Sequence, residues 1–161
     1  MVIVSDTSPI SNLLLIGKLD VLYNTVGEII IPQQVAYEID QLRKFNINLE
    51  NFNKANWITI KKPTDAGFVD SLRTILDAGE AQAIALAKEL NADYILIDER
   101  LGRNIAQKYS LNTIGLLGIL IKAKQKGLLP EIKTSVDELI HVAKFWISDK
   151  LYHDVLTAVN E

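Results

Sequence analysis

The feature that most constrains this chain is an alternation. Short runs of β-branched and aliphatic residues, at Met1–Ser5, Glu28–Ile31, Trp57–Ile60, Tyr94–Ile97 and Asn112–Ile114, are separated by stretches whose apolar residues recur at helical spacing. Period-3.6 segments between compact apolar runs predict strand–helix–strand units. Such units link parallel strands through crossover helices. The expectation is therefore an α/β fold with a parallel sheet covered by helices on both faces.

The helical stretches can be bounded by their end signals. Ser8 followed by Pro9 reads as an N-cap with proline at the first helical position, opening a helix to about Leu15. Further helices are predicted over Leu19–Tyr23, Gln33–Phe45, Asp65–Ile75, Asp77 to about Leu90, Arg100–Tyr109 and Leu116–Lys126, and from about Ser135 to the end. Asn46–Ala55 is polar and asparagine-rich, a loop or frayed helix end. The chain has 161 residues, 48% of them hydrophobic, with four prolines and eight glycines scattered rather than clustered. That composition suits one domain over 1–161, with 130–161 as a helical extension.

Composition also removes several functions. With no cysteine, disulfides, thiolate catalysis and cysteine-ligated zinc are excluded. The apolar stretch Leu13–Ile16 is too short to span a membrane and lacks the flanks of a signal peptide, so a cytoplasmic protein with no membrane role is expected. A net charge of -3 argues against a passive phosphate-binding module, which would need a basic face. An acidic protein can still meet nucleic acid through metal ions held by carboxylates.

Four carboxylates stand where carboxylates are costly. Asp6 and Asp98 each follow an apolar strand run, so both belong at the carboxyl edge of the sheet, where α/β proteins bind ligands. Capping of the next helix competes as an explanation for Asp98. It competes less for Asp6, because Ser8 is the better cap. Glu38 projects between Leu42 and Phe45 on an apolar stripe that also holds Val35 and Ile39. A carboxylate there needs a cation, a metal or hydrogen bonds; a salt bridge to Arg43 or Lys44 of a neighbouring turn, or to a distant arginine, is the plain alternative. Glu80 aligns with Ile84 and Ala87 and faces inward, yet Asp77-Ala78-Gly79-Glu80 also has the form of a capping box. If all four share a pocket, their repulsion calls for divalent cations. Hard oxygen ligands favour Mg²⁺ or Mn²⁺, and the implied chemistry is phosphodiester hydrolysis.

At these residues the chain resembles the PIN-domain nucleases, in particular the VapC-like toxin ribonucleases. The resemblance runs from Val4 to about Leu129 and rests on Val4-Ser5-Asp6-Thr7-Ser8, Val35-Ala36-Tyr37-Glu38-Ile39, the stretch Gly79 to Ala87, and Leu96-Ile97-Asp98-Glu99. It implies a three-layer α/β/α sandwich with a central parallel sheet. It further implies that Asp6, Glu38, Glu80 and Asp98 ligate Mg²⁺ or Mn²⁺ and that Thr7 or Ser8 sets a hydroxyl beside the metal or the phosphate. The substrate would be RNA, and the partner a cognate antitoxin. Two departures stand out: Glu80 replaces a frequent aspartate, and Glu99 stands where a second aspartate often follows.

Other residues have plainer readings. Gly115-Leu116-Leu117-Gly118 opens a helix and reads first as a turn with close helix–sheet contact. Arg43, Lys44, Arg100, Arg103 and Lys108 read as a solvated face or as steering for phosphate. His141 and His153 lack a third ligand and receive no role. The apolar residues from Val136 to Val155, Trp146 among them, read as core or a homodimer seam, with a partner groove as the sharper alternative. Two other functional classes compete with the nuclease: a catalytically inactive binding or scaffold protein of the same fold, and a phosphatase using Asp6 as nucleophile. The second is weakened by Ser8, where a haloacid-dehalogenase-type enzyme carries an aspartate.

Overall fold

The computed structural model describes residues 1–161. Five strands, β1 (Ile3–Ser5), β2 (Ile29–Pro32), β3 (Ile58–Lys61), β4 (Tyr94–Leu96) and β5 (Thr113–Ile114), form one sheet in the order β3-β2-β1-β4-β5. Every neighbouring pair is parallel. Ten helices surround it: α1 (Thr7–Leu15), α2 (Leu19–Val26), α3 (Gln33–Asp40), α4 (Glu50–Asn53), α5 (Ala66–Arg73), α6 (Ala78–Glu89), α7 (Arg100–Lys108), α8 (Leu116–Gln125), α9 (Lys133–His141) and α10 (Asp149–Ala158). The chain builds outward from β1 to β3, then returns to place β4 on the other side of β1. At that reversal the connections leave in opposite directions and open a crevice beyond the strand ends.

Alternation along the strands divides the core in two. Ile3, Ile29, Ile31 and Leu96 join the layer built from α1, α2, α3, α8, α9 and α10. Val4, Ile95 and Ile97 join the layer of α5, α6 and α7. The result is a three-layer α/β/α sandwich. Ala81, Ala83, Ala85 and Ala87 of α6 are all buried, so most of this helix's circumference is covered, and it is enclosed by the sheet, α3 and α5. No helix is long and apolar enough to cross a membrane.

Four boundaries differ from the sequence reading, each for a local reason. The chain turns helical at Thr7, directly after β1, so Asp6 holds the N-cap position and Ser8 is already inside the helix. Pro9 is tolerated there because the first four helical N–H groups have no intrahelical acceptor. The predicted helix Gln33–Phe45 ends at Asp40 and tightens into a 3-10 turn, Gln41–Phe45, stopped by Asn46 at a left-handed φ of 61°. The tighter turn carries Phe45 off the apolar stripe, and it is 73% exposed. The Asn46–Ala55 loop contains α4, beside the buried Leu49. The single helix expected from Ser135 onward is two helices: α9 begins at Lys133, and Lys144 takes a φ of 58° as the Phe145 amide turns back to the Leu139 carbonyl at 2.8 Å. Ser148 then starts α10 by accepting from the Leu151 amide at 3.1 Å. Trp146 lies in the intervening loop, 83% exposed, and is not core in this chain.

The first turn of α9 is capped from a distance. Its N-cap residue, Ile132, offers no side-chain oxygen. The Glu161 carboxylate instead accepts from the amides of Ile132 and Lys133, at 2.8 and 3.0 Å, and pairs with Lys124 of α8 at 2.8 Å.

A carboxylate cleft at the sheet edge

Parallel strands entering helices bring the first turns of α1, α3 and α7 to the carboxyl edge of the sheet. α6, which runs back toward the start of β4, brings its first turn there too. A cleft of about 340 Å³ opens at this edge, bounded by Asp6, Glu38, Asp77, Glu80 and Glu99 together with the hydroxyl residues Thr7 and Ser8. Leu101 is its one apolar wall. No lysine or arginine lines it.

Three of the four acids singled out by sequence therefore meet here, and the fourth is next door. Asp6 is 4% exposed and its amide donates to the Leu96 carbonyl at 2.9 Å, which fixes the end of β1 against β4. Its side chain makes no capping bond to α1. Glu38, on α3, accepts from the Thr7 hydroxyl at 3.2 Å, while its second oxygen is buried with no partner. Gly79 explains how it fits: a Cβ at that position would lie 2.5 Å from Glu38 Oε2 and 2.8 Å from Oε1. A larger residue in the first turn of α6 would occupy the carboxylate's place.

Glu80 carries the capping box in full. Its amide donates to Asp77 Oδ1 at 2.8 Å and its Oε2 accepts from the Asp77 amide at 3.4 Å. The longer of these bonds leaves the other oxygen toward α7, 3.5 Å from where a Cβ on Gly102 would sit. Asp98 lines an adjoining cleft of about 650 Å³ that shares Ser8 and Glu99 with the first. It does not cap the helix that follows it, whose N-cap position is Glu99. Instead Asp98 Oδ1 accepts from the Leu116 amide at 2.7 Å, capping α8, and Oδ2 is buried without a partner. The close helix–sheet contact expected of Gly115-Leu116-Leu117-Gly118 is made at Gly118, where a Cβ would be 3.0 Å from Ile114 of β5; at Gly115 a Cβ would be 3.0 Å from Asp98 Oδ1 and 2.8 Å from the Arg103 guanidinium.

Burial is the main force on these acids. It pushes Asp6 up to about 8, and the nearby charges of Glu80, Asp77 and Glu38 push further, against the Thr7 amide. Glu80 is pushed to about 7 by burial, with Asp77, Glu99 and Glu38 adding to it and the Asp77 backbone opposing. Burial also raises Glu38, opposed by the Thr7 hydroxyl, by Gln34 and by the positive charge of Arg73. Asp98 is raised by burial and by Glu99, opposed by the Leu116 amide and Arg103. Asp6, Glu38, Asp77 and Glu80 thus form one electrostatic group, with Asp98, Glu99 and Arg103 beside it.

Sequence reading missed Asp77 and gave Glu99 no role. Asp77 was absorbed by its cap motif; Glu99 carried a usable signal, since it directly follows a strand-end acid. Arg43 pairs with Asp40 at 2.7 Å, and His141 and His153 lie outside the acid cleft. The donor set suits a hard divalent cation: carboxylate and hydroxyl oxygens, two carboxylate oxygens buried without partners, and raised affinities for protons. No three of the acids already converge on a single point.

A parallel sheet whose order reverses beside a carboxylate cleft defines the kind of protein this is. The chain matches the family model DUF3368, described as a PIN domain, over residues 2–161, and it belongs to the PIN-domain family. Proteins of this family are typically nucleases and generally use divalent metal ions. The fold is similar to that of a PilT N-terminus domain protein from the hyperthermophilic archaeon Sulfolobus solfataricus P2. That similarity has a TM-score of 0.51 at 17% identity, covering 74% of this chain and 90% of that one. Among curated proteins none is similar enough in sequence to match.

Proposed function

We propose that this PIN domain is a Mg²⁺- or Mn²⁺-dependent endoribonuclease of the VapC-like kind, the toxin of a toxin–antitoxin pair. The observation that carries the reading is the pair of buried, unpartnered carboxylate oxygens, on Glu38 and Asp98, flanking a cleft that holds five acids and no base. Leaving charged oxygens buried and unpaired is expensive, and a cation offsets that cost. Asp6, Glu38, Glu80 and Asp98 are the residues that would hold the ion, with Asp77 and Glu99 within the same acid field. When bound, the ion supplies a water activated for attack and stabilises charge on phosphate oxygens.

The chain's own groups have separate duties in this reading. Thr7 holds Glu38 by its hydroxyl, and Ser8, shared by both clefts, is placed to contact a phosphate. Glu80 keeps one oxygen on its cap and offers the other to the cleft. The test is cleavage of single-stranded RNA by purified protein with added Mn²⁺, and its loss in Asp6→Asn. Absence of metal-dependent cleavage of any single-stranded RNA or DNA overturns the proposal. If folded protein also binds no Mn²⁺ at millimolar concentration in calorimetry, the inactive binding-module reading replaces it. The proposal includes a homodimer and a cognate antitoxin: light scattering should give twice the chain mass, and a small neighbouring open reading frame should abolish activity when co-expressed.

A further inference from the structure

We propose that the cleft beside the acid cluster, between α7, α8 and the loop joining α9 to α10, seats a single-stranded nucleic acid segment, with Trp146 as its base-stacking platform. This rests on the nuclease reading and specifies how the substrate is held. The cleft measures about 650 Å³, and Arg100, Arg103, Lys144, Phe145 and Trp146 line it together with Asp98, Glu99 and Ser8. Its cations are concentrated where the first cleft has none.

Three properties favour this occupant. Arg100, Arg103 and Lys144 form no close ion pair; Arg103 shares its charge with the neighbouring Asp98, which leaves Arg100 and Lys144 to meet phosphates. The Trp146 indole is 83% exposed and pairs with no aromatic ring and no lysine or arginine, so its faces are free. Free aromatic faces beside a line of cations are what a flexible single strand requires, since every base can stack and every linkage carries charge. Continuity supplies the third: Ser8 and Glu99 belong to both clefts, so a strand lying on Trp146 leads its backbone to the acid cluster.

The loop is held in place for the purpose. Lys144 sits in the left-handed region, donates its ammonium to the His141 carbonyl at 3.0 Å, and is followed by the Phe145–Leu139 backbone bond. The alternative occupant, a protein segment, is an outcome of the test.

The experiment uses the full chain carrying Trp57→Phe, which leaves Trp146 as the single indole, and Asp6→Asn to suppress turnover, with Mg²⁺ present. Titration with a short oligouridylate should quench Trp146 fluorescence saturably. By anisotropy of end-labelled strands, an abasic spacer strand of equal charge should bind on the order of 10-fold more weakly, as should oligouridylate to Trp146→Ala, with Trp146→Phe retaining most of the affinity. Arg100→Ala should lower the salt dependence by about one phosphate contact. Equal affinity for the abasic strand, or binding that leaves Trp146 fluorescence unchanged, overturns the proposal. So does protection of Trp146 by a partner protein when oligouridylate gives none. Cleavage by the Asp6-containing enzyme is read separately. An inactive enzyme whose Trp146 is quenched removes the nuclease reading alone, and an active one whose Trp146→Ala variant keeps its KM removes the stacking platform alone.

Discussion

Gly79→Ala should separate stability from activity. Gly79 is the second residue of α6, and its backbone is helical, so alanine is conformationally welcome there. Replacing glycine within a helix gains up to about 1 kcal/mol from reduced backbone freedom, less in the first turn. The added methyl would meet Glu38 Oε2 at 2.5 Å, Oε1 at 2.8 Å and Cδ at 3.0 Å. To regain a contact of 3.4 Å, the carboxylate must retreat by about 0.9 Å. It can do so, because it terminates a flexible side chain, but it would strain or lose the 3.2 Å bond from Thr7. Displacing a group in an active site by about 1 Å can cost on the order of 100-fold in rate. Stability should change by no more than about 1 kcal/mol, or roughly 2–4 °C in Tm for a domain of this size. Thermal melts and Mn²⁺-dependent cleavage, measured on one preparation, read both quantities. A stable variant with full cleavage refutes a working role for Glu38, and destabilisation beyond about 2 kcal/mol refutes the claim that its carboxylate can yield.

The remaining predictions concern the other strand-end groups. Asp6, at about 8 against an ordinary 3.8, holds its proton more tightly folded than unfolded. Its folded-state advantage is therefore complete below the ordinary carboxylate range and is lost as pH rises toward 8. Metal-free Tm should fall over that interval, and Asp6→Asn should flatten the fall; an unchanged slope in the variant refutes the assignment. Asp98→Ala should cost about 0.5–2 kcal/mol in urea unfolding through loss of the α8 cap. Asp98→Asn, which keeps an acceptor for the Leu116 amide, should cost less while still reducing cleavage. Ser8→Ala should stay within about 0.5 kcal/mol in the same assay, because the hydroxyl caps nothing.

Much of the fold was legible because strands in a parallel sheet are buried on both faces and announce themselves as short apolar runs. Val4 and Ile95 are examples, both fully buried. Asp6 and Asp98 stand out for the same reason, since an acid directly after such a run lies at the sheet edge; capping does occupy Asp98, but of α8 rather than of the helix that follows it. Glu38 was found by helical projection, although Phe45, which helped define that stripe, points elsewhere. What local pattern could not give was the partner of each cap. Ser8-Pro9 looks like a helix start, yet the chain was already helical at Thr7, and nothing near Asp98 in sequence reveals that its carboxylate serves an amide at Leu116. Glu80 does carry the capping box its sequence suggested, and it also lines the cleft. The separation of Asp98 from the other acids depends on how α7 and α8 sit together, which no single segment encodes.

The distant cap on α9 has a consequence for how the molecule comes apart. Because Glu161 supplies the acceptor for Ile132 and Lys133 and also grips Lys124, one carboxylate ties the start of α9 to α8 and to the residues that follow α10. These segments are expected to open together in native-state hydrogen exchange, latched just beyond the end of α10. The Trp146 loop lies between α9 and α10 and keeps bonds of its own, from Lys144 to His141 and from Phe145 to Leu139. Losing the Glu161 carboxylate should therefore loosen the start of α9 and the end of the chain together.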